Sequence, residues 1–563
     1  MKKLIECVPN FSEGRDMNVI NQITAEIDKV EGVKLIDVDP GQATNRTVVT
    51  MVGTPDEVLE AAFQAIKKSQ ELIDMRKHSG AHPRFGATDV CPLVPVANIS
   101  MEETAELAHK LAKRIGEELE IPIYCYENAA KIDVRRNLAV CRAGEYEALG
   151  ERVVTEEWKP DFGPGTWNEK QMKSGATAVS ARNFLVAINY NLNTTSTRRA
   201  NAIAFDVRER GRTKREGNSI TGKIVKDANG KPVMIPGSLK HTKAIGWFID
   251  EFGVAQISMN MTNIEETPIH KAFDEVSERA RVRGLRVTGS ELVGVVPLKS
   301  ILDAGRHYLR LQKRSTGVSD SELIKIAVKS LGLDDLYKFE PKKKIIEYIL
   351  EDESHFPLIN MTLTGFVEET ASESPAPGGG SIAAYMGAMG SALGTMVANL
   401  SSHKRGWDDR WEEFSEWAEK GKYYHDQLLR MVDEDTNAFN LIMDAFGLPK
   451  KTDEDKAARK QAIQDATKYA IDVPFKTMEL CHGSMEVMKA MAEFGNPNSV
   501  TDAGVGALAA MAGVRGAFLN VKINTADLDD KEFVNDILAR GKNIEVRAFA
   551  LEQEILAVVE NKI

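Results

Sequence analysis

Two histidines, an arginine and an aspartate fall within residues 78–89, whose sequence is HSGAHPRFGATD. Imidazole is the side chain best matched to proton transfer near neutral pH, so His82 is a candidate acid/base. Glycines and a proline favour a turn from which these groups project. Two other interpretations stay open: a loop whose polar groups only satisfy backbone, and a zinc site at His78 and His82, which are spaced i,i+4 in a segment unsuited to a regular helix.

Asp39 ends a predicted strand, and a carboxylate there could orient an imidazole. An ordinary turn at residues 37–41 would also explain it. Residues 161–165, with the sequence DFGPG, predict a Gly/Pro turn that could close over a flat ligand, although turn chemistry alone explains them equally well.

Residues 374–381, SPAPGGGS, precede a predicted helix whose free backbone N–H groups would suit an anionic group. A plain linker would look similar. Farther on, Asp435 shares a helix face with Val432 and Phe439, and an apolar surrounding would disfavour its charged form. The alternative is a solvated acidic face, which suits Asp433 and Glu434 better.

Residues 1 to about 340 alternate short β-branched runs with amphipathic stretches, which predicts an α+β half. The order β-α-β-β-α-β occurs twice, so we expect two ferredoxin-like subdomains whose sheets face a ligand crevice. The predicted elements of the first are 4–9, 17–30, 33–39, 46–53, 55–74 and 90–96, and those of the second are 184–190, 196–209, 243–249, 254–261, 268–283 and 285–287.

After residue 357 the pattern predicts an all-α helical bundle. Its uncharged run at 378–402 is long enough for a membrane span, but Ala, Gly and Ser dominate it, so we expect a buried helix and no span. Such Ala/Gly faces also suggest a homo-oligomer formed through this domain. The predicted long helices are 408–446, 453–493, 499–521 and 531–560, and the predicted domains are 1–180, 181–335, a helical linker at 336–356, and 357–563.

The composition excludes several classes of protein. A net charge of −11 without a basic tail argues against nucleic-acid binding. Five scattered cysteines without CxxC spacing argue against a disulfide framework and a structural zinc. The N-terminal apolar run is too short for a signal peptide, so we expect a cytoplasmic protein.

Several motifs carry a family resemblance. Residues 78–89, 161–164, 181–187, 256–260 and 289–294 resemble glutamate formiminotransferase. Residues 374–381, 432–439, 448–450 and 495–503 resemble formimidoyltetrahydrofolate cyclodeaminase. Together they cover nearly the whole chain in the order of the bifunctional formimidoyltransferase-cyclodeaminase family.

The resemblance implies two consecutive steps. The formimino group of N-formimino-L-glutamate passes to N5 of tetrahydrofolate, and 5-formimidoyltetrahydrofolate then closes to 5,10-methenyltetrahydrofolate with loss of ammonia. It also implies (poly)glutamylated tetrahydrofolate as co-substrate, and no metal or redox cofactor.

For the first step, the resemblance assigns the acid/base role to His82, with Asp39 as a supporting carboxylate. The two substrate carboxylates call for arginine clamps, for which Arg46 and Arg84 are candidates. The folate loop of the family corresponds here to a tract longer and more polar than usual: Gly163, Pro164, Gly165, Thr166 and Trp167.

For the second step, Asp435 is assigned the acid that protonates the leaving ammonia, with Asp433 as the alternative. The expected folate pocket includes Gly378, Gly379, Gly380 and Asp502.

Three rival functions remain. One is a glutamate formyltransferase, against which the fused cyclodeaminase half argues because a formyl group has no ammonia to lose. The second is a helical half that acts as a methenyltetrahydrofolate cyclohydrolase. The third is a catalytically silent folate-binding scaffold.

Overall fold

The computed structural model describes residues 3–42, 45–80, 84–217, 221–250, 252–350, 356–526 and 528–563. The chain divides into two compact units. One contains Met1–Ile301 and Leu331–Leu350, and the other contains Leu302–Ser330 and Glu351–Ile563. The boundaries of the four domains expected from the sequence stay predictions.

The first unit begins with strands and helices in the order expected from the sequence. The Asp16 side chain caps the first helix, Pro55 begins the second, and Ser100 and Glu103 form a capping box on the third. The elements are β1 Leu4–Cys7, β2 Asn10–Phe11, α1 Met17–Asp28, β3 Val33–Gly41, β4 Arg46–Gly53, α2 Pro55–Leu72, β5 Thr88–Ala97, α3 Met101–Glu118, β6 Ile123–Glu127, α4 Leu138–Cys141, α5 Leu149–Arg152, α6 Glu169–Ser174 and β7 Thr177–Ala181.

These strands form one mixed sheet of seven strands in the described residues. Strand β4 pairs with β3 on one side and with β1 and β2 on the other, and β5 continues from β1 and β2. Strand β7 runs parallel to both β5 and β6. Ile5, Cys7, Met51 and Leu93 face the helices and are fully buried, so the alternate residues of β1 and β4 turn to the opposite face.

The second sheet of this unit follows β7 and is antiparallel, in the order β11-β12-β8-β13. The strand predicted at 285–287 is wrong: β13 lies at Val287–Val293, because Gly284, with φ +71°, still belongs to the turn after the preceding helix. The elements are β8 Val186–Leu192, α7 Thr197–Val207, β9 Arg212–Thr213, β10 Met234–Ile235, β11 Thr242–Ile249, β12 Val254–Met261, α8 Ile269–Arg281 and β13 Val287–Val293.

The remaining elements are helices, and from residue 356 onward the described chain contains no strand. The helical character predicted for this half is therefore confirmed. The helices are α9 Leu298–Leu311, α10 Asp320–Leu331, α11 Pro341–Lys344, α12 Ile346–Leu350, α13 Leu363–Thr370, α14 Gly379–Ser402, α15 Trp411–Gly447, α16 Asp453–Phe494, α17 Val500–Asn524 and α18 Lys531–Glu560.

Glycines let α14 pack closely against its neighbours. A Cβ at Gly387 would lie 2.3 Å from Cys481 Sγ of α16, and one at Gly390 would lie 2.5 Å from the carbonyl oxygen of Gly506 in α17. By length and composition, Gly379–Ser402 and Pro497–Asn524 could each span a membrane, yet 61% and 56% of their apolar windows are buried inside the protein. The core helices of a bundle can be equally long and apolar, so these two helices are weak evidence for a membrane span.

Candidate functional site

His82, the predicted acid/base, lies outside the described residues. The earlier histidine of the motif, His78, is half-buried, and its Nε2 lies 2.8 Å from the backbone carbonyl oxygen of Asn45. If Nε2 donates this bond, Nδ1 of the neutral ring is an acceptor. That buried Nδ1 has no partner among the described residues.

Asn45 ties three loops together at this end of β4. Its Oδ1 accepts a hydrogen bond of 3.0 Å from the N–H of Gly14, and its Nδ2 donates one of 3.0 Å to the carbonyl oxygen of Ser79. Asn45 has φ +51°, a left-handed conformation that asparagine tolerates better than most residues. One buried side chain therefore fixes the start of the histidine motif relative to the neighbouring strand.

Arg46 follows in the sequence and lies in a buried cluster of charges. Its Nη1 forms an ion pair with Asp89, to which Arg142 also donates at 2.8 Å, while its Nε donates to Asn10 Oδ1 at 3.0 Å. Burial lowers the pKa of Arg46, and the neighbouring Asp89 carboxylate opposes this shift. Two guanidinium groups share one carboxylate, so the cluster carries an excess positive charge suited to a carboxylate ligand.

Arg84 is held in place by several partners. Its Nη1 donates to the carbonyl oxygen of His78 at 2.7 Å, and its guanidinium forms an ion pair with Glu147. The same group lies 5.5 Å from the ring centroid of Tyr146. Arg84 thus connects the histidine motif to the segment around Tyr146.

Tyr146 also contacts the loop predicted to bind folate. Its ring centroid lies 5.9 Å from that of Trp167, and its hydroxyl donates to the carbonyl oxygen of Met172 at 2.5 Å. In the same loop, Gly163, Gly165 and Thr166 are exposed. The structure therefore connects the predicted folate loop to Arg84 through Tyr146, a residue that the sequence motifs did not identify.

Asp161 anchors the beginning of this loop. Its Oδ1 pairs with Arg135 Nη1 at 2.9 Å, and both side chains are almost fully buried. Its Oδ2 accepts a hydrogen bond of 2.8 Å from the N–H of Cys125 in β6. Gly163 has φ +83°, and a Cβ there would lie 2.2 Å from the carbonyl oxygen of Ile121, so the turn requires glycine.

Asp39 is exposed on β3 and lies opposite Val48 of β4. Because side chains alternate along a strand, Asp39 shares a face of the sheet with Val48 and Arg46. The predicted contact between Asp39 and His82 falls outside the described residues.

Residues from the same face of the first sheet and from the second sheet line one cavity. Strands β1, β3 and β4 contribute one wall, and the segment that leads into β8 and the end of β13 contribute the other. The cavity has a volume of about 150 Å³, and its charged lining residues are Glu6, Asp37 and Arg182. Glu6 was not identified from the sequence, since a lone glutamate in a four-residue strand gives no signal of a site.

In the helical unit, Asp435 lies against the beginning of α14. Its Oδ2 accepts hydrogen bonds from the N–H of Ser381 at 2.9 Å and from its hydroxyl at 3.3 Å. Burial raises the pKa of Asp435, while the bonds from Ser381 oppose this shift. The structure thus brings Asp435 together with the Gly378–Gly380 loop, although Phe439, expected on an apolar face beside it, is 43% exposed.

Asp433 differs from the expectation of a solvated acidic residue, which is wrong. It is only 2% exposed, and its two oxygens accept hydrogen bonds from the N–H groups of Leu358 at 2.9 Å and Ile359 at 3.2 Å. The segment before α13 folds over this part of α15, and the two hydrogen bonds to Asp433 hold it there.

Asp502 is not brought to the Gly378–Gly380 loop. The residue of α17 beside the loop is Asn520, whose Nδ2 would lie 3.5 Å from a Cβ at Gly379. Asp502 is in the first turn of the same helix. At about 1.5 Å per residue, the helix separates Asp502 from Asn520 by about 27 Å.

Within the described ranges, no group of three or more His, Cys, Asp or Glu side chains is arranged to hold a metal ion. The histidine pair considered for zinc includes His82 and so lies partly outside those ranges.

Models of three protein families match the chain in succession. The formiminotransferase domain, N-terminal subdomain, matches residues 4–182, and the formiminotransferase domain matches residues 187–351. The formiminotransferase-cyclodeaminase model matches residues 362–543.

Three curated proteins are similar to all or part of the chain. The formimidoyltransferase-cyclodeaminase of Dictyostelium discoideum is 41% identical over 565 residues, covering 100% of both chains. The glutamate formimidoyltransferase of Streptococcus pyogenes serotype M1 is 39% identical over 312 residues, which are 55% of this chain and 95% of that protein. The methenyltetrahydrofolate cyclohydrolase of Methylorubrum extorquens is 40% identical over 204 residues, which are 36% of this chain and 98% of that protein.

Proposed function

Because this chain belongs to the formimidoyltransferase-cyclodeaminase family, we propose that it transfers a formimino group to tetrahydrofolate and then closes the product with release of ammonia. The family models and the full-length relative confirm the resemblance seen in the motifs. The donor is N-formimino-L-glutamate and the final product is 5,10-methenyltetrahydrofolate. Tetrahydrofolate is the co-substrate of this bifunctional enzyme.

In the first reaction, N5 of tetrahydrofolate attacks the formimino carbon to give a tetrahedral adduct. The N5 proton must leave, and a proton must reach the glutamate nitrogen before the bond between that nitrogen and carbon breaks. We assign this proton transfer to His82, with Asp39 as a supporting carboxylate. Such a positioned group contributes roughly 10²–10⁴-fold in rate.

The cluster of Arg46, Arg142 and Asp89 supports Arg46 as a clamp for a substrate carboxylate, because it contains two guanidinium groups and one carboxylate. Arg46 also faces the same side of the sheet as Asp39. Arg84 is engaged with Glu147 and the His78 carbonyl, so it could bind a carboxylate only through its remaining N–H groups. The exposed loop with Gly163, Pro164, Gly165, Thr166 and Trp167 is the proposed folate contact.

In the second reaction, N10 attacks the carbon bound to N5 and loses its proton, and the C–N bond to the departing nitrogen breaks after that nitrogen is protonated, so that ammonia leaves. We assign this protonation to Asp435, because burial favours its protonated form and it lies at the glycine-rich start of α14. Gly378, Gly379 and Gly380 are the proposed folate-pocket residues around it. Asp502 stays a predicted folate contact without support from its position in α17.

The strand order β11-β12-β8-β13 supports a ferredoxin-like arrangement for the second subdomain. In the first, β3, β4, the β1–β2 pair and β5 follow the same order, and β7 and β6 extend the sheet. Two such sheets with a crevice between them would hold the donor and the folate together, which lowers the entropic cost of the transfer.

The homo-oligomer is also a proposal. The Ala/Gly faces are used within the bundle, but α17 leaves large apolar side chains on its surface, including Leu519 at 66% and Ile523 at 71% exposure. Such a surface supports association through the helical domain. We also propose that the protein binds (poly)glutamylated folate in the cytoplasm, and that it neither binds nucleic acid nor spans a membrane.

The full-length protein should be incubated with tetrahydrofolate and either N-formimino-L-glutamate or N-formylglutamate, while glutamate, ammonia and the methenyl absorbance are measured. We expect glutamate and ammonia with the formimino donor only. Glutamate from the formyl donor would favour the formyltransferase, and folate binding without turnover the silent scaffold. His82→Ala should abolish transfer and leave closure of supplied 5-formimidoyltetrahydrofolate unchanged.

The helical half has one further candidate function, favoured by its similarity to a methenyltetrahydrofolate cyclohydrolase. Hydrolysis of supplied 5,10-methenyltetrahydrofolate at a rate exceeding ammonia release from the formimidoyl compound would assign this half to that reaction instead.

A further inference from the structure

Glu6 is a buried carboxylate that the mechanism above does not use. It lies on β1, is only 6% exposed, and lines the crevice between the two sheets. Because alternate residues of β1 face opposite sides, its neighbours Ile5 and Cys7 are fully buried on the helix side, whereas Glu6 faces the cavity.

No hydrogen bond or ion pair to the Glu6 carboxylate is found among the described residues. The charged groups that share its cavity are Asp37 from β3 and Arg182 after β7. Arg182 donates from Nη1 to the carbonyl oxygen of Asn183 at 3.2 Å and forms no ion pair with Glu6 within 4 Å. Burial raises the pKa of Glu6 to about 7, and the charge of Arg182 opposes this shift. The Glu6 oxygens therefore face the cavity, where water or the N–H groups of a ligand must provide the hydrogen bonds that the protein does not.

The other lining residues narrow the chemistry of such a ligand. Apart from Thr50, they are mostly apolar, including Val8, Phe184 and Leu185, and so they favour a ligand whose polar groups are concentrated on the side that faces Glu6. A carboxylate with two free oxygens is matched best by two N–H donors in one plane. A planar N–C–N group with both N–H bonds on one edge satisfies both conditions.

We infer that Glu6 binds a planar N–C–N group in this crevice through two parallel N–H···O hydrogen bonds. The inference rests on the proposed function, because both of its substrates contain such a group. The pterin ring of folate offers its N3–H and 2-amino group on one edge. The formimino donor offers the two nitrogens of its formamidinium. In either case, Glu6 is a specificity residue that orients a substrate in the first reaction.

The experiment measures binding without turnover. The dissociation constants of 5-formyltetrahydrofolate and of N-formimino-L-glutamate are determined separately by calorimetry with the full-length protein at pH 6, 7 and 8. Because the pKa of Glu6 in the unliganded protein is raised to about 7, the ionised form of Glu6 is about tenfold more abundant at pH 8 than at pH 6. We therefore expect one ligand to bind about tenfold more weakly at pH 6.

Glu6→Gln should weaken binding of that ligand about tenfold or more at pH 8 and remove the Glu6-dependent part of the pH profile. An effect on the folate compound identifies the pterin edge, and an effect on the donor identifies the formamidinium. Glu117→Gln is the matched control, since Glu117 is exposed on α3 and pairs with Lys113. It should bind both ligands as the wild type does.

Wild-type affinity for both ligands in Glu6→Gln at pH 8 would overturn the inference, as would affinities in the wild type that do not change from pH 6 to 8. The second comparison needs no variant and decides the matter if Glu6→Gln does not fold. Because binding is read directly, a failure to transfer the formimino group would refute the proposed function without affecting this test.

Discussion

The carboxylate of Asp435 accepts a 2.9 Å hydrogen bond from the backbone N–H of Ser381, so an acidic group in the middle of α15 caps the beginning of α14. This contact joins two parts of the sequence that were identified independently, the acidic segment at 433–435 and the glycine-rich loop before α14. The N-terminus of a helix stabilises an ionised carboxylate, whereas burial favours the protonated form. Burial is the larger effect on the pKa of Asp435.

Asp435→Asn is expected to slow closure of 5-formimidoyltetrahydrofolate roughly 10²–10⁴-fold, because asparagine cannot deliver the proton to the leaving ammonia. Formimino transfer, measured as glutamate release, should not change. Asp433→Asn serves as the comparison: it should mainly lower the melting temperature, because it weakens the hydrogen bonds to Leu358 and Ile359. Normal closure in Asp435→Asn with loss of closure in a stable Asp433→Asn would reverse the two roles.

The Gly378–Gly380 loop gives a second test of the same site. A Cβ at Gly380 would lie 2.0 Å from Asp435 Oδ1 and 2.4 Å from its Cγ. Gly380→Ala should therefore displace the carboxylate and reduce ring closure roughly 10²-fold, since small displacements of a reacting group are costly. Gly447→Ala, at the end of α15, has no atom within 4 Å of the added Cβ and should retain full activity. Equal activity of both variants would mean that Asp435 need not occupy its observed position.

The long helices could be predicted from the sequence because a 3.6-residue period over many turns is a strong signal. The helix expected at 453–493 is observed at Asp453–Phe494, and that expected at 531–560 is Lys531–Glu560. Strand β13 was misplaced because Leu285 and Val287 look like a strand, whereas the pairing with β8 depends on a turn at Gly284 and an irregular register near Gly289. The short strands β9 and β10 are only two residues long and leave no periodic pattern.

The site was less predictable, because helix periodicity tells which residues share a face but not what covers that face. Asp433 looked solvated, yet the segment at Leu358 and Ile359 folds over it. Asp502 was grouped with the glycine loop, but only the three-dimensional structure tells which end of α17 meets the start of α14. Glu6 and Tyr146 belong to no chemical pattern in the sequence, and their positions follow from sheet pairing and loop packing.

Asn45 is expected to matter for transfer although it need not touch a substrate. Asn45→Ala removes the hydrogen bonds to Gly14 and Ser79 that fix the loop before His82, so transfer should fall roughly 10²-fold while ring closure is retained. Asn98→Ala is a matched control, because Asn98 also has a positive φ, of 57°, but is exposed at the end of β5. Unchanged transfer in Asn45→Ala, with both variants folded, would show that the loop keeps its position without these bonds.

Glu6→Gln is expected to stabilise the unliganded protein in a pH-dependent manner. The folded-state pKa of Glu6, about 7, lies above the ordinary value of 4.5, so the folded protein retains this proton between those two pH values while the unfolded chain loses it. Stability must then fall as the pH rises through this window, by up to about 3 kcal/mol, and stay reduced above pH 7. Glutamine has no such titration. The melting temperature of Glu6→Gln should therefore be close to that of the wild type at pH 4.5 and exceed it clearly at pH 8, whereas exposed Glu117→Gln should show no such divergence. A difference in melting temperature between Glu6→Gln and the wild type that is constant with pH, or greatest in acid, would mean that burial does not destabilise the ionised form of Glu6 in the unliganded protein.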